Sequence, residues 1–396
     1  MLPLLQGVRI IDFTTIVLGP YATRFLGDFG AEVIKVEPPE GDLFRSVRPG
    51  RTRRMGAGFL NCNRNKRSLA VDLKHDGAGD VVHALVASAD VVVHNMRPRS
   101  AARMGLSFEQ LSKVNPRLVY AYAPAFDQRG RNSDAPAYDD IIQASSGLAY
   151  LNANAQGEPR YLPTIVCDKV GGLHLALAVL AALAWRNRTG RGCCIEAPMF
   201  ESMVSFLMTE QLGGATFEPP LGGTGYERLS ARNRKPFPSS DGYVSILPYT
   251  TAHWAAFFDI IGRPDDAHSP LIQDPVLRSQ NVDALYATIA QVTPTRTTAQ
   301  WLEVLRSRDV PCASVNSIDD LLKDPHLDDI GFFGTVEHPT EGTLRSTRSP
   351  FHLHGVPEQQ DLPAPNVSAD ARSILGEAGF SAERIEALAA AGVIKL

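Results

Sequence analysis

The five cysteines, Cys62, Cys167, Cys193, Cys194 and Cys312, are odd in number, and no two stand in Cys-x-x-Cys spacing. That excludes a complete disulfide framework and the common zinc and redox patterns, and leaves reduced, mostly buried thiols as the expectation. No basic stretch leads into a long apolar one near the first residue, so no secretion signal is read and a cytoplasmic protein is expected. The longest unbroken apolar run, Leu175 to Trp185, falls well short of the roughly 20 residues that span a bilayer. Charge of one sign is scarce as well: a net charge of -4 gives no general attraction to nucleic acid or to an anionic membrane. Gly-x-Ser-x-Gly, Walker and His-Glu-x-x-His signatures are missing, which removes the commonest hydrolase, phosphotransferase and zinc-protease readings. No metal is expected, and no repeat, low-complexity tract or heptad pattern is present.

What remains is an ordinary globular composition, 44% hydrophobic and 21% charged, in a chain whose 396 residues exceed one usual hydrophobic core. Two domains are expected. Residues 8–13 read as a strand, 20–29 as a helix closed by Gly30, and 32–37 as a second strand, which together make a βαβ unit. The pattern recurs with a strand at 68–73, a helix at about 76–87 and a strand at 90–94. A helix opened by the capping box Ser107-x-x-Gln110 and a strand at 117–122 follow. Such alternation predicts an α/β fold, a parallel sheet covered by helices on both faces. The loop-rich stretch 218–225 precedes a smaller α+β unit with a strand at 242–247 and helices at 254–261 and 298–308. After Gly331 β-like segments return, and the chain closes on a helical hairpin, 369–375 and 382–391. The expected division is a large domain over 1–219, a small domain over 220–330, and a return to the large domain over 331–396.

One segment concentrates chemistry. Tyr161-Leu-Pro-Thr-Ile-Val-Cys-Asp168-Lys-Val-Gly171-Gly172, running into the apolar stretch, puts a carboxylate at the mouth of a buried helix, where the helix N-terminus favours an anion. Either Asp168 is an N-cap, accepting from an orphan amide of the first turn, or it is a catalytic carboxylate. Gly171 and Gly172 would let a second backbone or a ligand approach closely. Glu37 closes the second strand where a ribose-binding acid would lie, but the stretch from Thr14 to Pro20 lacks the Gly-x-Gly-x-x-Gly spacing that a pyrophosphate needs, so NAD is not expected. Arg45, Arg48, Arg51, Arg53 and Arg54, extended by Arg64, Lys66 and Arg67, form a basic cluster. It reads as a solvated loop or as a landing place for an anionic cofactor; it is too small, and too poor in interleaved aromatics, for nucleic acid. His352-x-His354, in an expected strand, would share one face as metal ligands do, but no third ligand has recognisable spacing, and surface histidines are the plainer reading.

Several short segments, taken in their order and spacing, carry more than each does alone. They are Val8-Arg-Ile-Ile-Asp-Phe-Thr14, Gly30-Ala-Glu-Val-Ile-Lys-Val-Glu37, Asn63-Arg-Asn-Lys-Arg-Ser68, Asn95-Met-Arg-Pro98 with Arg103-Met-Gly105, and Thr189-Gly-Arg-Gly192. Val310-Pro-Cys-Ala-Ser-Val315, Asp324-Pro-His-Leu327 and Ala391-Gly-Val-Ile394 continue the series. Over nearly its whole length the chain resembles the class III CoA-transferases, the family of formyl-CoA transferase and carnitine CoA-transferases, to which the α-methylacyl-CoA racemases also belong. The resemblance turns Asp168 from a cap into a nucleophile, which would attack an acyl-CoA thioester and carry the transfer through an aspartyl anhydride, with Gly171 and Gly172 beside it. Tyr138 and Asp139 match positions that line the transferase site. The racemases place a histidine where Tyr138 stands, and a tyrosine, with an ordinary pKa of ~10, is a poor α-proton base.

By the same resemblance Val71, Asp72, Leu73, Lys74, Asn95, Met96, Arg97 and Arg103 would hold the nucleotide and phosphates of coenzyme A. Thr15, Val17 and Pro38 match pocket positions but differ in type from the histidine, glutamine and arginine of formyl-CoA transferase. The glycine-rich lid of that enzyme has no counterpart here, and Asp127 and Arg129 interrupt a loop that commonly reads Phe-Gly-Gln-Thr-Gly. These departures count against formyl and oxalyl substrates. The resemblance also implies a large Rossmann-like domain built from both ends of the chain, and an interlocked homodimer in which each chain forms a ring threaded by the other. Acyl-CoA and a small carboxylic acid are the expected partners, with neither nucleic acid nor membrane; a dicarboxylate could rest its second carboxylate on Arg45 to Arg54. Two alternatives stand beside CoA transfer. A racemase would lose an α-deuterium label to water, and a noncatalytic CoA-binding subunit would bind CoA without exchange.

Overall fold

The computed structural model describes residues 1–396, which form two compact units, Met1–Leu207 together with Gly331–Leu396, and Met208–Ile330. The first is built on a seven-stranded sheet. Six strands, β1 (Arg9–Asp12), β2 (Glu32–Glu37), β3 (Lys66–Val71), β4 (Val91–His94), β5 (Val119–Tyr122) and β6 (Cys193–Glu196), run parallel in the order β3-β2-β1-β4-β5-β6. A two-residue strand, Ile394–Lys395, pairs antiparallel with β3 and completes the edge. Strands covered on both faces need apolar side chains on both, and Val91, Val92 and Val93 are all fully buried. One core joins Ile11, Ile34, Leu69 and Val92 of the sheet to Val82 and Leu85 of the helix Ala78–Ala87. Ile374, Leu375, Ile385 and Leu388 of the two C-terminal helices close that core.

The helix α1 (Leu18–Asp28) follows β1, α2 (Asp139–Ser145) follows β5, and α3 (Val166–Thr189) packs on α1, β5 and β6. By its 24 residues and a mean hydropathy of 1.7, α3 is long and apolar enough to cross a membrane, a length that the run from Leu175 to Trp185 understates. Here it is a core helix: Leu175, Val179, Ala182 and Leu183 are buried, and Arg186 ties its last turn to Asp90 at 2.8 Å. The capping box at Ser107 forms with both of its bonds, Gln110 N to Ser107 Oγ and Ser107 N to Gln110 Oε1. Residues 352–354 form no strand, although the His352 and His354 rings still meet edge to face with centroids 4.8 Å apart, with no third ligand beside them. They lie in an irregular stretch beyond the hairpin Phe333–His338 and Gly342–Thr347, with His352 beside Glu358 at 3.3 Å.

The second unit has a three-stranded antiparallel sheet, Phe237–Pro238, Tyr243–Ile246 and Cys312–Ser314. Helices Thr251–Ile260, Val282–Val292 and Thr298–Arg306 bury Trp254, Phe257, Ile289 and Trp301 against it. The indole of Trp301 is satisfied by donating to the carbonyl of Thr293 at 2.8 Å. The first junction between the units falls at Leu207, inside the helix Met199–Gln211, rather than in the loop-rich stretch 218–225. Leu207 is the last buried residue of that helix.

Candidate active site

The order of the sheet reverses between β1 and β4, so the connections leaving their carboxyl ends run to opposite sides and open a crevice between them. A cleft of about 310 Å³ lies there. Thr15, Ile16, Val17 and Leu18 line it from the end of β1, Asn95 and Arg97 from the end of β4, and Tyr138 and Asp168 from beyond β5. Histidine is absent from the lining, and Asp168 is its one carboxylate.

On the Asp168 side, α3 begins at Val166, so Asp168 is its third residue and not its N-cap, which is Ile165 and supplies no side-chain bond. The cap comes from another helix. Asp139, the first residue of α2, accepts from the amides of Cys167 at 2.7 Å and Asp168 at 3.0 Å through Oδ1, and from Gln143 Nε2 at 2.6 Å through Oδ2. Gln143 in turn accepts the amide of Leu162 at 2.9 Å, which ties the segment before α3 to α2. Because Asp139 satisfies these orphan amides, the carboxylate of Asp168 accepts no hydrogen bond and stands free in the cleft. Burial, and then the negative charge of Asp139, push the Asp168 carboxyl up to about 7. Burial likewise raises the neighbouring Cys167 thiol to about 12, which keeps it protonated at neutral pH.

Gly171 and Gly172 do not line the cleft. A Cβ on Gly171 would stand 2.8 Å from Leu18 Cδ1, and one on Gly172 would stand 2.7 Å from the Leu18 carbonyl oxygen and 3.1 Å from the Tyr21 ring. Their bareness lets α1 press against α3, and so brings the Thr15–Leu18 segment to the same cleft as Asp168. Tyr138, 71% exposed, lines the cleft, whereas Asp139 is buried behind it as the cap.

The opposite wall rests on buried charge. Asp12 at the end of β1 accepts from Thr14 N at 2.9 Å, Thr23 Oγ1 at 2.6 Å and Lys66 Nζ at 3.1 Å, all with fully or nearly fully buried side chains. Lys35 Nζ donates to the Thr14 carbonyl and to Asp42 Oδ2, both at 2.9 Å. Asn95 holds both ends of the Thr15 backbone, accepting from its amide at 2.9 Å and donating to its carbonyl at 3.0 Å. Burial draws the Lys66 ammonium down to about 8, with Asp12 opposing the drop. Asp12 itself is held below the usual carboxylate range by Lys66 and Lys35, against the upward push of burial.

The remaining positions expected to hold CoA share the carboxyl edge of the sheet. Pro38 follows β2, Val71 to Lys74 end or follow β3, and Asn95 to Arg97 follow β4. Val71 is buried in the strand, Leu73 and Met96 pack on the core, and Lys74, Arg97 and Arg103 are exposed. Asp72 commits its carboxylate to the amide of Lys74 at 3.0 Å. Asp127 and Arg129 pair with each other at 2.6 Å on the surface loop they occupy.

The basic cluster is not a landing place in this cleft. Arg45 is internal, bonded to both oxygens of Glu37 at 2.7 Å and stacked on the Phe59 ring at 3.7 Å, while Arg64 pairs with Asp28 at 2.7 Å and Lys66 with Asp12. Arg48 folds back on the carbonyls of its own loop, Arg51 donates to the Glu341 carbonyl, and none of the five arginines from 45 to 54 lines the cleft. Of the eight cations in the run, Arg45, Arg64, Lys66 and Arg67 are paired with carboxylates. Gln143, Asp42 and Lys35 went unnoticed in the sequence. The one signal was Lys35 itself, a cation inside the apolar strand Glu32-Val-Ile-Lys-Val-Glu37, which burial on both faces obliges to find a partner.

Compared with known proteins, the chain matches the family described as CoA-transferase family III over residues 5–371. It is 30% identical over 393 residues to the succinyl-CoA:glutarate CoA-transferase of Mus musculus, a match that covers 99% of this chain and 90% of that protein. It is also 30% identical over 381 residues to a formyl-CoA:oxalate CoA-transferase of Rhodopseudomonas palustris, covering 90% of this chain and 89% of that one. Among solved structures, Rv3272 from M. tuberculosis superposes with a TM-score of 0.80 at 28% identity, over 93% of this chain and 98% of that chain.

Proposed function

This chain belongs to CoA-transferase family III, and on that premise we propose that it moves CoA from an acyl-CoA donor to a carboxylic acid with Asp168 as the nucleophile. The observation that carries the reading is the division of labour between two carboxylates: Asp139 caps α3, which leaves Asp168 unbonded in the cleft at the switch point of the sheet. The Asp168 carboxylate attacks the donor thioester carbonyl, forming an aspartyl acyl anhydride and releasing CoA thiolate. The thiolate attacks the aspartyl carbonyl, which frees the donor acid and leaves an aspartyl CoA thioester. The acceptor carboxylate then displaces the thiolate to form a second anhydride, and the thiolate takes the new acyl group and returns Asp168 ionised. Each step exchanges one acyl leaving group for another, so the thioester free energy is kept without ATP.

Desolvation supports this role twice. It raises the free energy of the unpaired carboxylate, which favours its attack, and it keeps water from the anhydride. The absence of histidine from the lining, with Tyr138 in its place, disfavours α-proton exchange. Arg97, exposed on the cleft, the exposed Lys74 after β3 and the exposed Arg103 at the end of the helix Pro98–Arg103 suit the phosphates of CoA. The two relatives, a succinyl-CoA:glutarate and a formyl-CoA:oxalate CoA-transferase, support a dicarboxylate on one side of the exchange. A homodimer accompanies the reading. Leu173 and Leu177 on α3, Ile141 on α2 and the nearby Tyr150 and Leu151 are large apolar side chains left 42 to 73% exposed, as an interface would require.

The test is a screen of free acids against succinyl-CoA and acetyl-CoA with products identified by mass, run with the wild type and Asp168→Ala. The variant should fold and bind CoA but lose turnover by roughly 10⁴-fold or more. Retained exchange in the variant would sink the assignment.

A further inference from the structure

The connection from β1 to α1 is strained at one residue. Ile16 has φ of +68°, the left-handed region that a β-branched side chain adopts only under constraint. It also lines the cleft. The constraint is visible: its amide donates to both oxygens of Asp42, at 3.1 and 3.2 Å. Asp42 is itself held by Lys35 Nζ at 2.9 Å, by its own amide on Glu37 Oε2 at 2.9 Å, and by accepting from Phe44 N at 3.0 Å. Since Lys35 also donates to the Thr14 carbonyl, one buried ion pair grips the chain on both sides of Thr15, and Asn95 grips Thr15 itself.

We propose that Asp42 is a positioning residue for CoA transfer, whose work is to hold Ile16 in the left-handed conformation and thereby fix the Thr15–Leu18 wall opposite Asp168. The proposal rests on the reading of this cleft as the transfer site. Without the Asp42 carboxylate, Ile16 relaxes to negative φ, its peptide planes rotate, and the first turn of α1 leaves its register with the cleft. A residue that enters the left-handed region freely needs no such hold. That separates the proposal from an ordinary structural role for a buried ion pair, which is indifferent to what stands at position 16.

The experiment is a double-variant cycle. CoA-exchange kcat and KM are measured for the wild type, Asp42→Ala, Ile16→Gly and the pair. Asp42→Ala should lower kcat about tenfold or more in the Ile16 background, with KM for the acyl-CoA changed less than about threefold, and should lower kcat no more than about threefold in the Ile16→Gly background. Equal losses in the two backgrounds would overturn the proposal. Should Asp42→Ala fail to fold, Asp42→Asn with Lys35→Gln, which removes both charges together, takes its place in the same cycle. The thermal midpoint supplies a readout independent of turnover: the loss on removing Asp42 should be larger in the Ile16→Gly background than in the wild-type one, where relaxation of Ile16 returns its strain, and equal losses overturn the proposal by this measure too. If the wild type exchanged CoA with no acid, the transfer reading would fail while the cycle in stability still decided whether Asp42 restrains Ile16.

Discussion

The two walls of the cleft treat charge in opposite ways. On the β1 side Asp12, Lys35, Asp42 and Lys66 are buried, mutually paired and bonded to the backbone that they hold. On the α3 side Asp168 is also largely withdrawn from water, yet its carboxylate has no partner, because Asp139 has taken the amides that would have neutralised it. Paired charge resists movement and reaction; unpaired charge invites both. On the proposed transfer reading, the first wall is the template and the second the reagent.

The comparison can be broken most forcefully on the paired side. Asp12→Ala leaves Lys66 and Lys35 facing each other without their shared carboxylate, and should cost about 3 to 5 kcal/mol of stability in urea unfolding. On the other wall the sign inverts. The Asp168 carboxyl, raised to about 7, favours the folded state when protonated; that contribution is full below its ordinary value of 3.8 and is lost as pH rises through about 7. Asp168→Asn should therefore leave stability unchanged near pH 3 and raise it at pH 8 by up to about 4 kcal/mol, measured as paired unfolding curves. A variant no more stable than wild type at pH 8 would show that Asp168 has a partner after all. The smallest effect is the most diagnostic of the division of labour. Since the nucleophile must be ionised, kcat/KM should rise with pH through about 7, and Asp139→Asn, which removes a like charge, should move that acid limb down by about one unit.

Much of this was legible in the sequence, for reasons that differ by element. Glu32–Glu37 and Val91–His94 were readable because a parallel strand covered on both faces writes itself as an apolar run, and the helix after Ser107 because its capping box lies within four residues. The strand Ile394–Lys395 was not, since two residues have no period and its partner residues in β3, Val71 and Ala70, lie 323 and 325 positions earlier in the chain. At the site, the family pattern pointed to Asp168, but nothing local could tell that its expected capping duty had passed to Asp139, since a cap is looked for beside its helix. The arginines from 45 onward misled in the same way: Glu37 lies near Arg45 in sequence, but a linear charge run does not reveal that its first member turns inward.

Completion of the β3 edge sets a timetable for synthesis. Ala70 N donates to Ser368 Oγ and Ser68 N to Asp370 Oδ2, and Ile394 then pairs with Val71, so the edge waits for residues made 298 to 323 positions later. At ribosomal rates of about 5 to 20 residues per second, that strand remains an open template for roughly 15 to 60 s. Arg67 and Lys66, at its start, keep the nascent edge charged while it waits, and Ile394 and Lys395 are the residues that retire it.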